Sequence, residues 1–145
     1  MIRPFAPADL EPAIALWKRA CGLTHAFLPQ DFMDTVEKQL RAGGMNEAST
    51  VVFDDGGVRG FLTMTGNAIN DFFVDPDHQG RGIGTKLLDH AKAGSPELHL
   101  SVFTRNTRAI LFYDARGFLV VKRRHYPAAR NEILLMKWER GPEGR

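Results

Sequence analysis

Apolar residues return along this chain in two rhythms, one helical and one extended. Leu10, Ala13, Ile14, Trp17 and Cys21 are spaced by three or four positions, which puts them on one face of a helix. Asp9 stands ahead of that stripe as an expected N-cap, and Pro12 falls in the first turn, where its missing N–H costs little. Residues 2–5 predict a short strand before it. A second helix is expected over residues 31–41, with Phe32, Val36 and Leu40 on one side and Gly43-Gly44 as its stop. Residues 50–53 and 58–65 then switch to β-rich runs, and Asp54-Asp55-Gly56-Gly57 between them reads as a hairpin turn. Residues 69–74 are largely apolar on both faces and predict a central strand. Ile83, Leu87, Leu88 and Ala91 form the next helical stripe, stopped by Gly94 and Pro96. A strand over 98–103, a helix over 106–116 ended by Gly117, and strands over 118–125 and 132–138 complete the series.

The order is strand, two helices, three strands, helix, strand, helix, two strands. It predicts an α/β fold, a mixed central sheet flanked by helices in two or three layers. Hairpin connections exclude a doubly wound dinucleotide fold. One domain over residues 1–140 and a flexible tail over 141–145 are expected for a chain of 145 residues. A formal net charge of +2 makes no general electrostatic case for nucleic acid or membrane as partner. Cys21 is the single cysteine, so no intrachain disulfide forms, and no metal site is expected. The N-terminal Met1-Ile2-Arg3-Pro4-Phe5 lacks the apolar run of a secretory signal, and a cytoplasmic monomer or homodimer is expected.

The chemistry concentrates where the apolar strand stops at Asp75-Pro76 and Gln79-Gly80-Arg81-Gly82-Ile83-Gly84-Thr85 leads into a helix. Glycines let the backbone approach a ligand closely, and a helix N-terminus offers unpaired N–H groups with partial positive charge. A phosphate or pyrophosphate is the expected guest, with Arg81 adding a charged contact; an unliganded strand-to-helix turn is the plain alternative. The order Gly84-Thr85-Lys86 excludes a Walker loop, and Gly80-x-Gly82-x-Gly84 is not the dinucleotide fingerprint.

Gln79 to Gly84 resembles the Gln/Arg-x-x-Gly-x-Gly/Ala signature of GNAT acetyltransferases. Asn106-Thr107-Arg108-Ala109-Ile110-Leu111-Phe112-Tyr113-Asp114-Ala115-Arg116-Gly117-Phe118 resembles that family's second hallmark, in the family's order. Packing alone also accounts for parts of it: Asn106 is a natural N-cap, Ala109, Phe112 and Tyr113 share a helix face, and Gly117 ends the helix. The resemblance implies acetyl-CoA as co-substrate, with its pyrophosphate on residues 79–85. It further implies that the strand containing Phe73 and Val74 pairs with the pantetheine arm, that Asn106 bonds this arm, and that Tyr113 protonates the leaving thiolate.

On the acceptor side the resemblance is less complete. Some members carry a glutamate early in the strand before the turn, but here that region reads Gly66-Asn67-Ala68. The base is therefore unassigned, with Asp71 as the nearest carboxylate and Asn70, on the opposite face, a comparable substrate contact. Trp17 followed by Thr24-His25-Ala26-Phe27-Leu28 resembles YjaB-type members, which makes His25 a candidate proton relay near the acceptor. His99 and His125 have weaker claims. Arg123, Arg124, His125, Tyr126 and Arg130 flank the last hairpin, either as a solvated tip or as a site for an acceptor carboxylate or phosphate. Cys21 lies on an apolar helix face and is no nucleophile, so the expected reaction is direct transfer to a small-molecule or protein amine in a ternary complex. A non-catalytic acyl-CoA-binding module on the same fold is the alternative.

Overall fold

The computed structural model describes residues 1–141; the tail expected over 141–145 lies, from residue 142 onward, outside them. Strand β1 (Ile2–Pro4) is followed by helices α1 (Leu10–Thr24) and α2 (Gln30–Gln39), then by strands β2 (Thr50–Asp54), β3 (Val58–Thr65) and β4 (Ala68–Val74). Helix α3 (Ile83–Ala93), strand β5 (Glu97–Phe103), helix α4 (Thr107–Ala115) and strands β6 (Leu119–Tyr126) and β7 (Asn131–Glu139) follow. The predicted series of elements is the observed one. Helix α2 starts one residue earlier than expected and relaxes into a π turn over Leu40–Gly44, where Gly43 takes φ 105° and turns the chain out.

The seven strands order as β1-β2-β3-β4-β5-β7-β6, all antiparallel except the β4–β5 pair. Two apolar clusters lie on the two faces. Ile14, Leu16 and Trp17 of α1 pack with Phe5, Val52 and Phe61 on one face, whereas Ile83, Leu87 and Leu88 of α3 pack with Leu62, Leu98 and Met136 on the other. Three layers result. β4 is the middle strand, and its apolar run is explained by both layers: Phe73 faces the α1 cluster, Phe72 and Val74 the α3 cluster. None of the described helices is long and apolar enough to cross a membrane.

Asp9 does not cap α1 as expected. Its carboxylate accepts both Arg3 terminal nitrogens, at 2.8 and 2.9 Å, and the Ala6 N–H at 2.8 Å. A bidentate guanidinium outcompetes a single backbone N–H for a buried carboxylate. The Arg3 hydrogen bond accordingly holds the Asp9 pKa below its ordinary range. The pair ties the first strand to the entry of α1.

Gly60 permits the closest approach of α3 to the sheet. A Cβ there would meet Leu87 Cδ1 at 3.0 Å, the Phe73 carbonyl oxygen at 3.1 Å and Ile83 Cγ2 at 3.2 Å. Two of these atoms are side-chain ends on α3 and the third is backbone, so a methyl group fits only if they give by a few tenths of an ångström. Gly60→Ala should lower stability by about 1–3 kcal/mol, the usual cost of overpacking. Chemical denaturation would check this, and an unchanged midpoint would show that α3 yields freely.

Candidate active site

Parallel strands β4 and β5 pair only at Ala68↔His99 and Ile69↔Leu100, although each strand is seven residues long. Beyond that point β4 stays paired with β3 as far as Val74, and β5 with β7 as far as Phe103. The sheet therefore opens between its two halves. The break coincides with a bulge: Thr63 pairs with Asp71 and Met64 with Ile69, so Asn70 is the extra residue. A bulge bends the strand and re-aims the side chains after it. Here it puts Asp71 on the same face as Phe73 and leaves the following β4 backbone groups unpaired toward the opening. Unpaired strand edges bind an extended amide-bearing ligand readily.

A groove enclosing about 1180 Å³ runs through the opening. That exceeds the ~300–1,000 Å³ of a pocket for one small ligand, leaving room for two substrates. Phe73, Val74, Gln79, Gly80, Gly82, Ile83, Gly84 and Thr85 all line it. Gly80 and Gly82 have φ of 81° and 77°, a left-handed backbone that favours glycine. Apart from its chain neighbours, no atom of the described residues lies within 4 Å of a Cβ built on either, so the space over both is open. The α3 N-terminus opens directly onto it. Asp75 anchors the turn: buried, it accepts from Arg19 at 2.8 Å and from the Asp77 N–H at 3.1 Å. Burial works to raise its pKa, but these donors and His78 outweigh it, so the carboxylate stays ionised. Arg81 is exposed and is not among the groove-lining residues.

Helix α4 forms the opposite bank. Asn106 caps it, accepting the Ala109 N–H at 3.3 Å, and also lines the groove. Tyr113, a residue 9% exposed, lines it too, with its ring packed against Phe72, Phe112 and Phe118. Burial pushes the phenol pKa well above its ordinary value, keeping it protonated. One groove residue escaped the sequence reading. Arg116 stacks on Phe112 at 3.6 Å and donates to Thr85 Oγ1 at 2.9 Å, while its buried Nε has no hydrogen-bond partner among the described residues. A cation in a helix's last turn reads from sequence as a complement to the helix dipole, which hides any ligand role.

Three candidates on the acceptor side line the groove together: His25, Asn70 and Asp71. His25 stacks among Phe27, Phe73 and Phe103, with centroids 5.8–6.0 Å away, and burial lowers its pKa. Thr24 Oγ1 lies 2.6 Å from His25 Nδ1 and spends its own proton on the Ala20 carbonyl. Both contacts are satisfied together when Nδ1 carries the proton, the tautomer that leaves the Nε2 lone pair as acceptor. Asn70 is exposed, its amide held by Thr65 Oγ1 at 2.6 Å. Burial alone lifts the Asp71 carboxyl to about 6, and among the described residues it has no ion-pair partner. Of the hairpin residues, Arg124 and Tyr126 line the groove, whereas Arg123 pairs with Glu132 and Arg130 with Asp31. His99 bonds Glu97 at 2.6 Å outside the groove.

A central sheet opened between two parallel strands, with a glycine turn on one bank and a buried tyrosine on the other, defines an acyl-transfer enzyme. The chain belongs to the GNAT acetyltransferase family, enzymes that take their acetyl group from acetyl-CoA. Residues 46–120 match the family's acetyltransferase (GNAT) domain. The peptidyl-lysine N-acetyltransferase YjaB of Salmonella typhimurium is 36% identical over 115 residues, covering 78% of this chain and 79% of that protein. The solution structure of apo YjaB from Escherichia coli superposes with a TM-score of 0.83 at 27% identity, over 95% of this chain and 96% of the other. The PaiA N-acetyltransferase of Thermoplasma acidophilum, solved with coenzyme A, shares the fold at TM-score 0.70 and 20% identity, over 96% and 98% of the two chains. This is an N-acetyltransferase rather than a non-catalytic binding module.

The state of Asp71 has a consequence for stability. Its pKa rises on folding from the ordinary 3.8 to about 6, so the folded protein holds the proton more tightly than the unfolded chain. The cost of the buried charge is absent below pH 3.8, grows through the interval and is complete above about 6. Asp71→Asn should therefore stabilise the protein at pH 7–8 by up to about 3 kcal/mol, an advantage that fades in acid. Denaturation midpoints of both proteins across pH 4–8 would check the sign; a gap that widens in acid would refute it.

Proposed function

We propose that the protein transfers the acetyl group of acetyl-CoA directly to a lysine-type amine, with both substrates held in the opened groove. The observation that carries this reading is that one groove joins the glycine turn, Tyr113 and the partnerless Asp71. Acetyl-CoA supplies an activated thioester. Residues 79–85 and Asn106 cradle and orient it, the first by backbone N–H groups at the α3 N-terminus. Arg116 is well placed to add a charge-assisted donor there, since its guanidinium already reaches Thr85.

Asp71 accepts the acceptor's proton. A free amine of this type has a pKa near ~10.4 and must shed a proton to form an amide. A carboxyl near 6 is ionised at neutral pH and still basic enough to take that proton as the nitrogen becomes acidic during attack. The Nε2 lone pair of His25 offers a second acceptor on the same wall. Tyr113 meets the departing sulfur as a neutral donor. Cys21 supports direct transfer, because burial pushes its thiol up to about 12 and leaves no thiolate for an acetyl-cysteine route. The aromatic wall of His25, Phe32, Phe73 and Phe103 suits the apolar stem of a lysine side chain, and the peptidyl-lysine activity of the YjaB relative points the same way.

Release of coenzyme A thiol from acetyl-CoA, measured with a panel of lysine peptides and small amines, tests the assignment. In that assay Tyr113→Phe should keep the acetyl-CoA KM and lose about 10²–10⁴-fold in kcat. Full turnover would show that water protonates the sulfur. For Asp71→Asn, the acid limb of the kcat profile near pH 6 should disappear.

A further inference from the structure

The acceptor end of the groove holds a cation that the transfer chemistry does not use. Phe103, Ile133 and Arg124 stand in one cross-strand row over β5, β7 and β6. With strands ~4.8 Å apart, the Arg124 backbone lies about 10 Å from that of Phe103. All three residues line the groove, as does Tyr126 on the same face of β6. Tyr126 meets Phe32 edge-on at 5.9 Å, and Phe32 meets Phe103 at 6.2 Å. An aromatic slot thus leads inward toward His25, with Arg124 at its outer rim.

Neighbouring charges are already matched. Arg123 and His125 alternate to the other face of β6, where Arg123 pairs with Glu132. Asp31, at the start of α2 beside Phe32, is engaged by Arg130. Arg108 also lines the groove, but it sits one turn before Phe112 on α4, whose ring contacts the Gly84 side of the glycine turn. Among the described residues Arg124 has no acidic group within ion-pair distance. Its guanidinium is a flat, permanently charged fork suited to a carboxylate.

We propose that Arg124 is a specificity-determining residue that selects acceptors carrying a carboxylate close to the reacting lysine amine. The proposal rests on the amine-acetylation reading above. The amine and its alkyl stem enter the slot toward Asp71, and the carboxylate stays at the rim on Arg124. Two sources provide that chemistry: an acidic side chain next to a lysine in a polypeptide, or the α-carboxylate of free lysine.

The test measures kcat/KM for end-capped lysine peptides flanked by Glu, Gln or Arg, and for free lysine against lysine amide. Each acceptor is tried on the native protein, Arg124→Gln and Arg124→Glu. The Glu peptide should exceed the Gln peptide by about 10-fold through KM, a preference weakened by 0.5 M salt. Arg124→Gln should bring the Glu peptide down to the Gln value, and Arg124→Glu should shift preference to the Arg peptide. If instead free lysine exceeds its amide with the same dependence on Arg124, the carboxylate is the α-carboxylate and the selection stands. Equal rates on all acceptors, or a Glu preference that survives Arg124→Glu, would overturn the proposal while leaving amine acetylation intact. No turnover on any amine by native protein that acetyl-CoA still stabilises against heat would instead overturn the functional reading and this proposal with it. Arg124 lies on an exposed edge strand, and that same thermal shift confirms that the variants are folded.

Discussion

Everything at the site depends on two parallel strands that stop pairing. A central strand in a sheet ordinarily satisfies its backbone on both sides, because an unpaired buried N–H or C=O costs as much as a lost hydrogen bond. β4 gives up its β5 partner after Ile69↔Leu100, and the bulge at Asn70 makes the separation persist. The fold tolerates this because each half-sheet is anchored independently: β4 by β3 and α1, β5 by a full-length ladder to β7. The deficit left on β4 is an edge open to an extended amide-bearing ligand.

Around that opening, burial sets the protonation states. The same desolvation raises the carboxyl of Asp71 and the phenol of Tyr113, lowers the imidazole of His25 and silences the thiol of Cys21. Each shift favours the neutral form, yet the consequences differ. A carboxyl near 6 becomes a usable base at neutral pH, a phenol held protonated becomes a reliable donor, and a thiol near 12 is removed from the chemistry. Asp75, also buried, escapes the pattern because Arg19 and a backbone N–H reach it. Its role is mechanical, tying α1 to the glycine turn.

The sequence by itself determined the order and type of the elements, and the local form of the glycine turn. Helical stripes such as Ile83, Leu87, Leu88 and Ala91 are legible because burying one face imposes a period on the chain. The glycine turn and its helix are contiguous, so their geometry follows from local backbone preferences. Capping was less secure: the reading of Asp9 failed because Arg3, from a different element, competes for the same carboxylate. Only the tertiary structure brought the remaining candidates into one groove. Asp71 on β4, His25 after α1, Tyr113 on α4 and Arg124 on β6 converge from four separate elements, and no spacing along the chain encodes their meeting. Nor does spacing reveal that Arg123 and Arg130 are neutralised while Arg124 is not. Charge pairing and desolvation depend on distances in space, which the folded sheet sets.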